Sequence, residues 1–506
     1  MIKKIKNFEE LSELFSKLKS DGKKIIHCHG VFDLLHVGHI KHFKEAKSFG
    51  DVLIVSVTPD EFVNKGPGRP AFNTSLRLEA LSELESIDYV VANNSPTAEE
   101  IIKAIEPNIY CKGPDYKDHS QDITGKITSE ENAVKLVGGK ILYTDDITFS
   151  SSSLLNKFGN LHSKEAELYI RNIKDKYNFE DIKEKVEELS KLKVLVIGET
   201  IIDQYVFCEA LGKSGKEPVL VLRDLDTQEY LGGSLAIARH LGNFCNKVSV
   251  LSFLGEHDEY KSFIEESIED NIDLHFLQKN NSPTIVKRRF VDHIDRKKVL
   301  GVYSINDDML NEDEEDRFIE SFDRLSKEND LVIISDYGHG IITPKIAKHI
   351  SKSEKFVTLN AQVNAANIGT HNIRKYKDIN CLIINETELQ HEMRQREGDS
   401  ELLAATLKES INSNYISVTR GREGAFLFDD LKNVVNCPGF ATQVVDKIGS
   451  GDALLALLSI SLYGKIDADL SLFIASIAAS QSVETLGNSI PVSKIILLKT
   501  VSHFLK

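Results

Sequence analysis

The sequence predicts an α/β protein of at least two domains, each built on a parallel sheet with helices on both faces. Three observations predict it. Short apolar runs alternate with amphipathic helical patterns over short connections, the signature of strands buried on both faces. The chain has 506 residues, enough for two to four domains at ~100–200 residues each. A Lys- and Glu-rich stretch over 163–192, free of Gly and Pro, interrupts the alternation.

In chain order, the runs 23–28, 51–57, 89–91, 109–111 and 140–143 read as strands. Helical patterns lie between them near 39–48, 74–85, 97–105 and 130–137. These units define a first, doubly wound domain over 1–158. The stretch 159–192 reads as a helical linker, with Leu168, Ile170, Ile173, Ile182, Val186 and Leu189 at helical spacing. A larger α/β domain spans 193–506 and opens with the apolar run 193–198. Its early part carries extra strand-like runs, 219–222, 285–290 and 298–303, that fit a small sheet or lid. The acidic run from Asn311 reads as a solvated helix N-terminus, where negative charge suits the dipole.

Composition excludes several classes. Hydrophobic residues are 41% and charged residues 27%, ordinary globular usage. A net charge of −15 leaves no footprint for nonspecific nucleic-acid binding. No apolar run reaches the ~18 residues of a membrane span. The charged start does not read as a secretory signal. Six scattered cysteines, with no Cys-x-x-Cys pair, argue against a zinc ribbon or a disulfide scaffold and fit a reducing cytoplasm. No Gly-x-Gly-x-x-Gly follows either first strand, which disfavours a dinucleotide-dependent oxidoreductase.

The turn after the first strand reads Gly30-Val-Phe-Asp-Leu-Leu-His36-Val-Gly38-His39. It falls at the carboxyl end of a strand and the start of a helix, where ligands and phosphates bind. Two imidazoles there can donate hydrogen bonds to a phosphoryl group as charge builds on its oxygens. Gly38 lets backbone and nucleotide approach closely. Cys28 and His29 nearby leave a metal reading open, while His27 and His42 read as partly buried polar residues. The full string resembles the cytidylyltransferase-like nucleotidyltransferases, whose signature is His-x-Gly-His. The resemblance extends through Lys65, Arg77, Lys112-Gly-Pro-Asp-Tyr and Ser150-Ser151-Ser152-Ser153. It implies that Gly30, Phe32, Gly38 and the serines line the nucleotide, and that Lys65, Arg77 and Lys112 hold phosphates. The chemistry implied is attack by a phosphate oxygen of an acceptor on the α-phosphorus of ATP or CTP, with release of pyrophosphate.

Near the C-terminus stands Asp446-Lys-Ile-Gly449-Ser450-Gly451-Asp452, a Gly-rich turn entering an apolar helix. Its N–H groups form an anion cradle, and Asp452 can take the proton of a hydroxyl attacking the γ-phosphate of ATP. The helix N-terminus is expected to lower its pKa and keep it ionised. Asp203, Gly232-Gly233, Asn385-Glu-Thr-Glu388 and Thr419-Arg-Gly421-Arg-Glu-Gly424 complete a pattern that resembles the ribokinase-like (PfkB) carbohydrate kinases. That resemblance implies sugar binding at Asp203, Gly232 and Gly233. It implies an ATP site at Thr419, Gly421, Gly424, Gly449, Ser450 and Gly451. Asn385 and Glu388 would organise Mg²⁺, largely through water. There are departures: Ser234 follows the Gly pair where an Asn is usual, and Asn360-Ala-Gln362 stands where Asp-Pro-Lys is usual.

The pair of modules resembles the bacterial bifunctional heptose 7-phosphate kinase / heptose 1-phosphate nucleotidyltransferase family, with the domain order reversed. It implies a Rossmann-like transferase domain, a ribokinase-like kinase domain with a β lid, and a multifunctional, Mg²⁺-dependent carbohydrate enzyme. The product would be an ADP- or CDP-linked sugar for lipopolysaccharide or capsule. A homodimer paired through the lid sheets is implied, and neither nucleic acid nor membrane is expected as a partner. Two alternatives stand beside it: a nucleotidyltransferase for another phosphorylated polyol with a diverged or silent kinase half, and a non-catalytic nucleotide-binding scaffold.

Overall fold

The computed structural model describes residues 4–63, 70–113, 126–144, 163–364, 367–369, 372–431 and 433–505. They fall into two compact units, one of Met1–Ser163 with Leu498–Lys506 and one of Lys164–Leu497.

The first unit is a six-stranded sheet: β1 (Ile5–Lys6), β2 (Ile25–Gly30), β3 (Val52–Val57), β4 (Tyr89–Ala92), β5 (Ile109–Lys112) and β6 (Lys140–Tyr143). The order is β1-β4-β3-β2-β5-β6, and every pair is parallel. Residues alternate between two apolar layers. Ile25, Ile54, Val91 and Tyr110 face one layer, and Ile26, Leu53, Val55 and Cys111 face the other. Sequential strands run outward from β2 to one side and then resume at β5 on the other. This reversal opens a crevice at the carboxyl ends of β2 and β5, where a ligand fits. The short β1 and the helix Leu11–Ser20 precede the first expected strand. That helix buries Leu11 and Phe15 and is otherwise largely polar, so it extends the core without an apolar run.

The second unit has a nine-stranded sheet and a four-stranded one. The large sheet holds β7 (Lys193–Gly198), β10 (Lys247–Leu254), β11 (Ile272–Gln278), β14 (Leu331–Asp336), β15 (Phe356–Ala361), β16 (Cys381–Asn385), β17 (Tyr415–Thr419), β18 (Ala425–Phe428) and β19 (Val434–Cys437). Its order is β11-β10-β7-β14-β15-β16-β17-β18-β19, parallel except where β18 and β19 close one edge. The small sheet, in order β13-β12-β8-β9, comprises β8 (Thr200–Lys213), β9 (Leu220–Gly233), β12 (Ile285–Asp292) and β13 (Lys298–Ser304). β9, β12 and β13 take in the runs read as a lid; β8, which carries Asp203, is not among those runs, and β9 continues past them to Gly233. The acidic run from Asn311 starts the helix Glu312–Glu328 with a reciprocal capping box between Asn311 and Glu314.

The stretch read as a linker is built into the second unit. Its helices, Lys164–Lys176 and Phe179–Glu188, bury Ala166, Ile173, Ile182 and Val186. The Tyr169 hydroxyl donates to the Asp469 carbonyl (3.0 Å), and Lys176 pairs with the Asp469 carboxylate (2.6 Å). Leu168, one of the expected apolar positions, is instead 58% exposed. The apolar stripe is narrow because tyrosines supply part of the contact. Ile182→Ala should therefore cost about 2–5 kcal/mol, the usual loss for a fully buried Ile. Denaturant unfolding of the second unit measures it; a mere tether would show no loss.

Candidate active sites

In the first unit, His36 stands at the end of the loop from β2 and caps the helix Val37–Ser48. Its Nδ1 accepts from the Gly38 N–H (3.2 Å). A neutral His36 thus carries its proton on Nε2. The His39 ring stacks on it, with centroids 3.9 Å apart and planes at 28°. Phe32 sets its edge against His39 at 5.4 Å and is itself almost buried. A Cβ at Gly30 would stand 3.0 Å from the Phe32 ring, so Gly30 leaves room for a buttress under the imidazoles. Phe32 holds a positive φ of 48°, a strained conformation for an aromatic residue.

The basic residues expected on phosphate are held by the protein. Arg77 is 1% exposed and donates to the carbonyls of Phe72 (2.9 Å), Val31 (2.6 Å) and Thr58 (2.9 Å), and to the Asp60 carboxylate (2.6 Å). It fastens the loops after β2 and β3 rather than projecting into the crevice. Lys112, at the end of β5, pairs with Glu130 (2.6 Å), which also accepts from the Tyr110 hydroxyl (3.1 Å). His27 donates or accepts at Ser56 (2.7 Å), and burial lowers its pKa to about 3, so it stays neutral. Lys65, Ser150, Ser151 and Ser152 lie outside the described residues.

In the second unit, a cleft of about 310 Å³ opens at the carboxyl ends of the parallel strands, between the large sheet and the lid sheet. Asp203, Gly233, Asn385, Glu388, Thr419 and the run Gly449–Asp452 line it, as the sequence places them. Asp452 occupies the first turn of the helix Ser450–Tyr463. Its carboxylate accepts from the Tyr337 hydroxyl (2.9 Å) and from the Asn488 amide (3.3 Å). Gly449 turns with φ +93°, and a Cβ there would overlap the Asn488 side chain. Gly232 is equally confined, because a Cβ would stand 2.4 Å from the Asp203 carboxylate. A neighbouring cleft of about 550 Å³ shares Asn385, Glu388, Thr419 and Lys447 with the first and adds Gly421. Gly424 lines neither; its φ of +89° lets it pack on the Cys437–Gly439 backbone.

The electrostatics correct one expectation. Asp452 is raised to about 6, not lowered. Burial is the largest cause, and the bonds from Tyr337 and Asn488 offset it only in part. Glu388 is raised to about 7, again by burial. It is locked with Asn385 in a capping box, each backbone N–H donating to the other's side chain at 2.8 Å.

Several lining groups were not read from the sequence. Lys287 and Arg289 reach the cleft from β12, and Arg289 is ion-paired with Asp203. Burial lowers the pKa of Lys287, which lies over the Tyr337 ring (4.9 Å). Tyr337 follows β14 directly, and buried Glu199 holds it by accepting from its N–H (2.9 Å). Tyr337, directly after β14, stands at the carboxyl end of a parallel strand, where ligand contacts are expected. Lys287 and Arg289 were signalled only by a basic triplet inside a strand-like run. Asn360 and Gln362, the amides noted as departures, line the cleft.

A glycine cradle, a buried carboxylate at a helix start and a cleft under a β lid define a kinase that moves a phosphoryl group onto a small hydroxyl compound. The chain belongs to the pfkB family carbohydrate kinases, whose model matches residues 191–495. The model described as cytidylyltransferase-like matches residues 27–158. The bifunctional protein HldE of Aliarcobacter butzleri is 46% identical over 139 residues, 27% of this chain and 29% of that protein. HldE of Campylobacter jejuni is 28% identical over 301 residues, 59% of this chain and 62% of that protein. Each match thus spans less than two thirds of the relative. Arabidopsis thaliana ribokinase complexed with ribose and ATP is 21% identical with TM-score 0.47, over 62% of this chain and 99% of that one.

With Asp452 at about 6, sugar phosphorylation should fall about tenfold per pH unit below that value, because the protonated carboxyl cannot accept the hydroxyl proton. Above it the base is ionised and the rate levels. Asp452→Asn should lose ~10²–10⁴ in rate at neutral pH and abolish this limb while ATP binding persists. A pH–rate profile with ATP titration checks both; a wild-type rate in the variant would make Asp452 only a helix cap.

Proposed function

We propose that the chain is a two-step sugar-activating enzyme. The second unit phosphorylates the anomeric hydroxyl of a sugar phosphate resembling heptose 7-phosphate, giving ADP. The first unit joins the resulting sugar 1-phosphate to a nucleotide from ATP or CTP, giving an NDP-sugar and pyrophosphate for surface glycans. The observation that carries this reading is Asp452, set between the Gly449–Gly451 cradle and the pocket of Asp203, Lys287 and Arg289.

In the kinase step, Asp203 with its Arg289 partner holds sugar hydroxyls. Asp452 takes the proton of the attacking hydroxyl, and the cradle N–H groups receive the charge of the γ-phosphate. Two buried cations on β12 favour a substrate that carries its own phosphate. The amides Asn360 and Gln362 favour a sugar other than those read by a carboxylate and an amine. Asn385 and Glu388 offer oxygen donors suited to Mg²⁺, which would supply charge neutralisation at the phosphates when bound. In the transfer step, His36 and His39 donate to the α-phosphate while the acceptor phosphate attacks, and Arg77 acts by holding the loops that carry them. No helix among the described residues is long and apolar enough to cross a membrane.

Mass spectrometry of the full chain with a panel of sugars and sugar phosphates, each with all four nucleoside triphosphates, tests this reading. His39→Ala should lower pyrophosphate release ~10²–10³-fold and leave phosphorylation intact. Unchanged pyrophosphate release would overturn the role of His39, and phosphorylation of unphosphorylated sugars alone would overturn the substrate class.

The lid supports a second proposal, that two copies pair through it. β13 is exposed throughout, and Leu220, Val221, Val299, Leu300 and Val302 present apolar side chains to solvent. Sedimentation velocity should show a dimer, and Leu300→Glu should give a monomer; a wild-type monomer would refute the pairing.

A further inference from the structure

Three side chains that the sequence scatters meet in the first unit, behind the His36–His39 turn. Cys28 lies on β2, Cys111 on β5 and His42 on the helix Val37–Ser48. Each offers a ligand atom, and these atoms all lie within 4.8 Å of one another. β2 and β5 are parallel neighbours in register at Ile26–Ile109 and His27–Tyr110, which sets Cys28 beside Cys111 on one face. The two thiols are 0% and 1% exposed, while His42 is partly exposed.

We propose that Cys28, Cys111 and His42 form a binding site for a thiophilic divalent cation, with zinc as the fitting ion. Two sulfurs and an imidazole are a donor set that selects zinc over hard cations. Zinc–sulfur and zinc–nitrogen bonds of ~2.3 and ~2.0 Å in a tetrahedral arrangement put neighbouring donors ~3.5–3.8 Å apart. Donors already within 4.8 Å need only side-chain adjustment to reach that spacing. Binding breaks two S–H bonds and forms two S–metal bonds, releasing both protons to solvent. A dication with two thiolates and a neutral imidazole carries no net charge, which suits the apolar layer of Ile26, Phe43 and Ile109 around it. Thr144 hydrogen-bonds to His42 Nδ1 at 2.9 Å, the outer-shell contact that orients a ligating imidazole.

The place of the cluster gives it a consequence. His42 follows His39 on the same helix, Cys111 precedes Lys112, and Cys28 is two residues before Gly30. A metal there ties the helix that carries the imidazoles to both strands that frame the crevice.

The test uses the full chain, purified under reducing conditions and stripped with a chelator. Addition of Zn²⁺ or Cd²⁺ alone should load one equivalent, raise the melting temperature of the first unit with metal concentration, and give with Cd²⁺ the ultraviolet band of sulfur-to-metal charge transfer. The Cys28→Ser/Cys111→Ser double variant should lose the band. His42→Gln, which keeps both thiols and the buried core, should weaken binding about tenfold or more. Folded wild-type protein with no stoichiometric uptake, uptake unchanged in the double variant, or a Cys28–Cys111 disulfide in place of metal would each overturn the site.

Discussion

Taking a carboxylate out of water at the base of a cleft has a cost, and the kinase unit is arranged around it. Asp452 is desolvated at the place proposed for an attacking hydroxyl, and an isolated buried carboxylate there would stay protonated. Tyr337 and Asn488 each donate to it, so its pKa rises only to about 6. Tyr337 is fixed in turn by Glu199, which is itself buried and raised to about 7 by desolvation and by nearby Asp336. Asp336 accepts from the Tyr376 hydroxyl and pairs with Lys375 (2.7 Å each). The base thus depends on a chain of buried polar groups reaching into the sheet. Such networks are stable only when each member is satisfied.

The same constraint separates what the sequence reveals from what it hides. Strands, helices and Gly-rich turns depend on neighbours in the chain: Asn385 closes β16, and Gly449 directly precedes the helix Ser450–Tyr463. Charge compensation depends on residues far apart in sequence. Arg289 meets Asp203 across 86 residues, and Tyr337 meets Asp452 across 115. No local pattern announces either pair. The pKa of Asp452 departs from the direction expected of a helix start for the same reason: the helix start is local, whereas the desolvation comes from the assembled cleft. Arg77 shows a milder case, since its place in the first turn of the helix Thr74–Ser82 is legible but its partners Phe72, Val31, Thr58 and Asp60 are not. The narrow apolar stripe of 163–192 conceals its packing because Tyr169 contributes through its ring and hydroxyl and Tyr177 through its hydroxyl.

Both units share one feature at the site proposed for a phosphate. Parallel strands deliver their loops to one edge, where helix N-termini leave N–H groups without intrahelical partners. In the first unit the helix start carries imidazoles, which suit charge developing at an α-phosphate. In the second it carries a carboxylate, which suits removal of a hydroxyl proton. The fold supplies the anion site in each case, and the side chain at the first turn sets the chemistry.

The residues proposed for substrate choice in the second unit lie on a different element from those proposed for catalysis. The cradle and Asp452 belong to the large sheet and its helix, whereas Asp203, Lys287 and Arg289 belong to the lid sheet. Asp446 joins the two. It accepts from Tyr205 on β8 (2.8 Å) and pairs with Lys298 on β13 (2.6 Å), and it also accepts from the Ile448 N–H at the edge of the cradle (3.2 Å). A carboxylate that holds both the lid and the turn before Gly449 makes the position of one depend on the other. The proposed sugar and phosphate contacts are therefore set together, so a change in the lid strands would alter where a hydroxyl stands relative to the cradle as well as which sugar is held.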